Sequence, residues 1–450
     1  MTKIYNARWV VPVSAPPVEE GAVAVAGARI VAVGARADVR AQFPEATTED
    51  FGAAALMPGL VNCHTHLELT AMRGLLEAEE GNFFAWLRKL TIARMLRLTA
   101  DDLRASATWG AVEAARAGVT CVGDAASSAD ACIMALADVG LRGTIYQEVF
   151  GPDARMAREQ WAQSREQIEA LRTRETPLVR VGVSPHAPYT VSAPLLEMIT
   201  DYALEQSLPV MMHAAESEAE TLLMRAGCGA FAEDYARRGI EWRAPCMSPI
   251  QYLAQVGVLR ARPLLAHCIR VDDADIETIK TSGASVAHCP KSNAKLGHGH
   301  APYHKFLKLK HGFGSDSVAS NNTCDLLAEA RTALLMARAH APDALAELTA
   351  QQALFDATAG GAQALGYDAQ TGVLAVGLQA DLIAVRLDGA HQLPVYDPIG
   401  ALIFASSGRD VVLTVVAGRE IYRDGRVQTV DEARLRARVQ EIKKKVTSDE

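Results

Sequence analysis

No uninterrupted apolar run in this chain approaches the roughly 20 residues a membrane-spanning helix needs. The first residues, MTKIYNARWVVPVSAPP, lack a cationic stretch leading into an apolar one. These two absences predict a cytoplasmic protein with no membrane partner. Positive charge is also in deficit, with 45 Lys and Arg against 53 Asp and Glu and a formal net charge of -8. Such a surface offers no broad positive field to a phosphate backbone, which excludes nucleic acid and leaves a small molecule as the expected partner. The Lys/Arg-rich stretch Arg434 to Lys445 is broken by Glu and apolar residues and reads as the solvated face of a helix. The eight cysteines form no CxxC pair and no regular framework. They are expected as reduced thiols in the core, not as disulfides.

What is there fits a soluble globular protein, 49% hydrophobic and 22% charged over 450 residues. Short apolar and β-branched runs punctuated by Gly occur near both ends, as in Gly21 to Val25, Arg29 to Val33, Gly372 to Leu387 and Val411 to Tyr422. They predict that residues 1–57 and 370–450 join into one small β-sandwich domain. Between them, over 58–369, short apolar strands alternate with amphipathic helical segments. That rhythm belongs to repeated βα units around a parallel sheet, an α/β fold of the (β/α)8 TIM-barrel type.

The chemistry collects where these strands end. In PGLVNCHTHLE a strand runs into His64 and His66, and the two-residue period of a strand aims both rings to one face. Further strands end in His213, His267 and, after GFGS, Asp316. One histidine at a strand end is more often a hydrogen-bonded structural residue, but four strand ends converging on a barrel mouth are a ligand set. Imidazoles plus a carboxylate suit one divalent first-row ion, with Zn2+ the default and Fe2+ or Mn2+ compatible. Glu216, three residues after His213 in HAAESE, can turn back to the same mouth as a proton shuttle, and it is also well placed as a helix N-terminal carboxylate. His267, where it is not a fifth ligand, would orient and polarise the attacking water. Gly297-His298-Gly299-His300 looks like a second HxH, but its glycines place it on a loop with an adventitious or structural role. Cys63, Cys268 and Cys289 each neighbour a histidine on a strand, and alternation turns them towards the helices; His288 is expected to be structural.

The segments PGLVNCHTHLE, SPHAPYTVS, HAAESEAE, AHCIRVDDADI, AHCPKSNAKLG, GSDSVASNNTCDLLAEARTA and GVLAVGLQADLIAV follow the order of the amidohydrolase superfamily. The chain resembles its cytosine-deaminase-like or chlorohydrolase branch over nearly its whole length. The resemblance implies His64, His66, His213 and Asp316 as metal ligands, Glu216 as proton shuttle and His267 as water-polarising residue. It implies a single ion, because Leu178 to Tyr189 contains no Lys to bridge two. It also makes His186 a purine contact and Ser320 a polar substrate contact, and members of the family are often homodimers.

For the substrate, the resemblance points to an adenine-bearing nucleoside. Relatives acting on methylthioadenosine and S-adenosylhomocysteine clamp the ribose with a Glu downstream of a Trp, whereas Trp86 to Met95 has no carboxylate. Glu68 after HTHL, the run Asn82 to Leu87, Pro249 to Leu253 and SNAKLGHG look more like aminodeoxyfutalosine deaminases of menaquinone biosynthesis. In that reading Glu68 or Glu148 recognises the ribose hydroxyls, and Phe83 and Trp86 pack on the nucleoside or in the core. The rivals are deamination of methylthioadenosine, S-adenosylhomocysteine or adenosine, then of guanine, or triazine hydrolysis including dechlorination. A metal-binding scaffold without catalysis is opposed by the intact Glu216 and His267.

Overall fold

A computed structural model describes residues 2–447. Eight parallel strands form a barrel: β1 Leu60–Thr65, β2 Val119–Ala126, β3 Arg142–Val149, β4 Val179–Pro185, β5 Met211–Ala214, β6 Leu264–His267, β7 Ser285–His288 and β8 Lys310–Phe313. They pair as two four-stranded sheets, β1 to β4 and β5 to β8. Bridges between Val183 and Val210 and between Thr65 and Asp316 close the ring, with Asp316 N donating to His64 O at 2.8 Å.

Alternation along the strands divides the core. Ile145, Val181, Val183, Met212, Leu265, Val286 and Phe313 face outward into one large apolar layer shared with the helices. Val61, Cys121, Tyr146, Met211, Leu264 and Ala287 fill the barrel interior with Leu365 and Tyr367. Cys63 belongs to this inner group, not to the helix-facing layer expected of it, whereas Cys268 lies in the outer layer. Cys63 keeps the two-residue period of Val61, and it is His64 that breaks it. A shift in the pairing of β1 with β2 between Asn62 and Thr65 marks a bulge, which suspends strict alternation and brings His64 to the mouth beside Cys63.

The strands at the two ends of the chain hydrogen-bond into one nine-stranded sheet. Ala54–Pro58 pairs directly with Leu382–Arg386, which stitches the N-terminal part to the C-terminal part. The terminal segments thus form a single sheet, on which Tyr5, Val23, Ile30, Leu56, Leu382 and Leu413 make one apolar cluster and Ile4, Ala22, Ala24 and Ala32 another with Val39. The barrel floor is tied to it by Arg142, fully buried at the start of β3. Its guanidinium donates to both carboxylate oxygens of Asp381 at 2.8 and 3.1 Å and to Gln370 and Gln379. A charge this deep persists only because every nitrogen of the fork finds an acceptor.

Over the barrel mouth lies the Phe83–Arg97 helix, started by Asn82, whose side chain accepts from Ala85 N at 3.1 Å. Its Trp86 and Ala93 pack with Leu69, Met72 and Leu76 and with Ile442 and Val446 of the terminal Glu432–Thr447 helix. That terminal helix is largely solvated, but Arg438 and Lys445 both pair with the buried Asp102. Among the described residues no helix is long and apolar enough to cross a membrane.

Candidate active site

The C-terminal ends of the strands surround a cavity of about 530 Å³, within the range that holds drug-sized ligands. At its floor His66 Nε2 and His213 Nε2 face each other at 3.3 Å. Asp316 Oδ1 is 3.5 Å from His66 Nε2 and 3.5 Å from His64 Nε2. The ligand atoms of His64, His66 and His213 lie within 4.8 Å of one another, as do those of His64, His267 and Asp316.

The protonation pattern of these groups tests whether an ion fits. His213 Nδ1 lies 2.9 Å from the His186 carbonyl, which only accepts, so Nδ1 carries the hydrogen and Nε2 is a bare lone pair. His64 Nε2 is buried with no hydrogen-bond partner among the described residues. Burial holds the His64 imidazole down to about 4 and His213 well below its ordinary value, so both stay neutral donors. Burial would raise Asp316, but the imidazoles of His64, His267 and His66 outweigh it and keep the carboxylate ionised. Burial would lower His66 too, but Glu148 and Asp316 outweigh it and raise that imidazole. Two neutral imidazoles and a third that would give up its proton to an ion thus converge beside an anion, a donor set that suits a divalent ion of the zinc type.

Three chemical positions in the second half of the barrel ride on left-handed backbone. His267 has φ 73°, Asp316 has φ 55°, and Ala215, just before Glu216, has φ 53°. A non-glycine residue adopts this region only where its surroundings compel it. For Ala215 the compulsion is Glu220, whose carboxylate accepts from Ala215 N at 3.0 Å and from Glu216 N at 2.7 Å. Burial pushes Glu220 up to about 8. The Ala215 carbonyl in turn accepts from Ile269 N and Arg270 N, so the turn after β5 braces the turn after β6.

The segment Pro290–Lys295 supports the same cluster from behind. Ser292 Oγ donates to Asp316 Oδ2 at 2.5 Å, and Asn293 Oδ1 accepts from His267 Nδ1 at 2.9 Å. The latter bond puts the hydrogen on Nδ1 and leaves His267 Nε2 as a lone pair towards the cavity. Ser320, expected to touch substrate, instead donates to Asp316 Oδ2 at 3.0 Å and bonds Ser292 Oγ at 2.8 Å. It is 1% exposed and is not among the described residues lining the cavity, because the short Val318–Asn321 helix carries it behind the carboxylate.

Glu216, 7% exposed, projects into the cavity with Oε1 3.8 Å from His267 Nε2. The same oxygen is 3.8 Å from His298 Nε2. Of the GHGH run, His298 is therefore brought into the site, while His300 stacks on His340 at 3.6 Å between ring centroids. The sequence signal that could have separated them is the pair of flanking glycines, Gly297 at φ 70° and Gly299 at φ 100°. A Cβ at either would meet no atom within 4 Å, so it is the backbone turn that demands glycine. His288 packs among Tyr303, Phe306 and Phe313, away from the cluster.

The remaining expected contacts line the cavity: His186, Glu68, Trp86 and Glu148. His186 stacks on Phe150, and its Nδ1 bonds Thr190 Oγ1 at 3.0 Å, which leaves Nε2 for a ligand. Glu68 is committed already, accepting from Ser127 N and Ser128 N with Arg94 Nε at 3.1 Å. Glu148 takes Ser127 Oγ on Oε2 at 2.6 Å, while Oε1 stands 4.0 Å from His66 Nδ1. Burial works against its charge, but the neighbouring His186 and His66 keep Glu148 below the usual carboxylate range. Trp86 is 5% exposed and sits mainly in the apolar cluster beneath the covering helix. Phe83, Phe84, Leu87, Phe231 and Tyr235 form the far wall, with Arg88, Arg94, Asp234 and Arg238 towards its rim.

Residues 55–421 match the model of the amidohydrolase family, and residues 21–46 match an imidazolonepropionase-like composite domain of bacteria. The chain is 34% identical over 429 residues to a 5-methylthioadenosine/S-adenosylhomocysteine deaminase of Syntrophobacter fumaroxidans, covering 93% of this chain and 92% of the relative. Among solved structures it is similar to an adenosine deaminase from Xanthomonas campestris with bound zinc, at TM-score 0.88 and 31% identity over 99% of this chain and 98% of that one. It shares its fold with a zinc complex of atrazine chlorohydrolase from Arthrobacter aurescens, at TM-score 0.84 and 24% identity over 98% and 99% of the two chains.

Proposed function

The chain belongs to the amidohydrolase family, and from that premise we propose that it removes the 6-amino group of an adenine nucleoside by hydrolysis, releasing ammonia. The observation that carries this reading is the meeting of Glu216, His267 and the four-residue ligand set at the floor of a nucleoside-sized cavity. His64, His66, His213 and Asp316 would hold one divalent ion, zinc in the first instance. When bound, such an ion supplies a hydroxide nucleophile at neutral pH by lowering the pKa of water towards about 7.

The chain's own groups divide the remaining work. The His267 Nε2 lone pair accepts a hydrogen bond from the attacking water and aims it at C6. The Asp316 carboxylate, ionised and held by Ser292 and Ser320, is the acceptor for a proton released there. Glu216 takes one proton of the attacking water and delivers it to ring N1 as C6 becomes tetrahedral; the second, held by Asp316, passes to the amine as the C6–N bond breaks, so both protons of the water are accounted for on N1 and ammonia. His186 Nε2 faces the purine edge, and the free oxygen of Glu148 is the better ribose acceptor, because Glu68 is already engaged.

The far wall supports a nucleoside carrying a bulky 5′ group. Its aromatic side chains, with the exposed Arg88 beside them, favour aminodeoxyfutalosine, an adenine nucleoside extended by an aromatic carboxylate, although Arg94 and Arg238 are already paired with Glu68 and Asp234. The second reading, methylthioadenosine or S-adenosylhomocysteine, is favoured by the names of relatives 34% identical to this chain. Ammonia release by zinc-loaded enzyme from these nucleosides and adenosine, compared by kcat/KM, decides among them. Inertness towards every 6-aminopurine nucleoside would sink the deaminase reading, and a preference for plain adenosine would sink the 5′-group argument.

A further inference from the structure

His298 stands on a loop, yet it is 6% exposed and its Nε2 is buried with no hydrogen-bond partner among the described residues. That nitrogen points at Glu216 Oε1, 3.8 Å away. His267 Nε2 lies at the same distance from the same oxygen but is a lone pair, because its Nδ1 hydrogen is committed to Asn293. Two like-looking imidazoles therefore flank one carboxylate oxygen, and only His298 is free to present it a hydrogen.

The placement of His298 is built, not incidental. Its backbone N donates to the Asn293 carbonyl at 2.9 Å, so the residue that sets the His267 tautomer also anchors the His298 main chain. Left-handed glycines on both sides turn the ring inward, and Phe83 of the covering helix meets it edge to face at 4.5 Å. We propose that His298 is a positioning residue for the deamination: its Nε2–H donates to Glu216 Oε1 once substrate is bound and keeps the other oxygen on the purine. The gap of 3.8 Å need shrink only to about 3 Å, and such bonds are often long before the substrate complex forms.

This inference rests on Glu216 as proton carrier, so Glu216→Gln is assayed alongside. The test is kcat and KM for ammonia release from the fastest nucleoside of the panel, with zinc content and thermal unfolding measured on each variant. His298→Phe keeps an aromatic ring against Phe83 but removes the donor; kcat should fall about 100-fold with KM within about threefold. His298→Gln places an amide N–H near the position of Nε2 and should recover most of the loss. Equal impairment of the two variants, or a His298→Phe enzyme within about threefold of wild-type kcat, overturns the proposal. An active Glu216→Gln enzyme overturns the shuttle itself, whereas a dead Glu216→Gln beside an active His298→Phe overturns only the role of His298.

Discussion

The two halves of the barrel are built differently. Strands β1 to β4 run for six to eight residues, whereas β5 to β8 have four each. The long strands β3 and β4 lead to Glu148 and His186 without a left-handed residue, and three of the four short ones, β5, β6 and β8, end at or near the left-handed residues that set Glu216, His267 and Asp316. Cutting a strand short frees its last residues to turn through angles a ladder forbids. The cost in local strain is met by braces such as Glu220, Asn293 and Ser292. The proposed function accordingly assigns recognition to the first half and proton transfer to the second, with His64 and His66 as the ligands that the first half would contribute.

The sharpest way to break that division is at Glu216. Replacing it by Ala should lower kcat by about 1,000-fold with zinc content unchanged; retention of activity would remove proton transfer from the second half. Next in size is Asn293→Ala, which frees the His267 tautomer and should cost about 10- to 100-fold in activity, read as kcat at saturating zinc. On the recognition side, Glu148→Gln should raise KM about tenfold while kcat moves less. A Glu148→Gln loss falling on kcat as heavily as that of Glu216→Ala would erase the distinction between the halves.

The smallest expected effect concerns pH. Burial raises Asp124, on β2 opposite Thr65, from 3.8 to about 7, and Glu220, in the second half, from 4.5 to about 8. Each raised group keeps a proton in the folded protein that the unfolded chain has already released. Its contribution to stability is therefore full below the ordinary carboxyl range and is lost as pH climbs, through about 7 for Asp124 and about 8 for Glu220. Unfolding temperatures measured from pH 5 to 9 should show Asp124→Asn flattening only the lower part of this decline.

The barrel was legible because it depends on period, on strands of period two and on βα alternation, and the same period brings together at the strand ends the histidines that would hold an ion. What resisted reading depends on departures from period. The pairing shift before Thr65 lets His64 reach the mouth while Cys63 stays inside with Val61, and left-handed ends aim His267 and Asp316. A strand pattern assigns residues to faces only while the strand stays regular. A glycine-rich loop carries no face at all and so gives His298 no direction in the sequence, and the four residues between Asp316 and Ser320 say nothing of front or back.

The pairing of Ala54–Pro58 with Leu382–Arg386 also has a consequence in time. During synthesis the first of these strands leaves the ribosome while its partner is more than 300 residues away. At usual elongation rates the wait is on the order of half a minute. Throughout that interval the apolar edge of Ala54, Ala55 and Leu56 has no permanent neighbour on the Leu382 side, so a newborn chain carries an open strand edge at the seam that later joins its two ends.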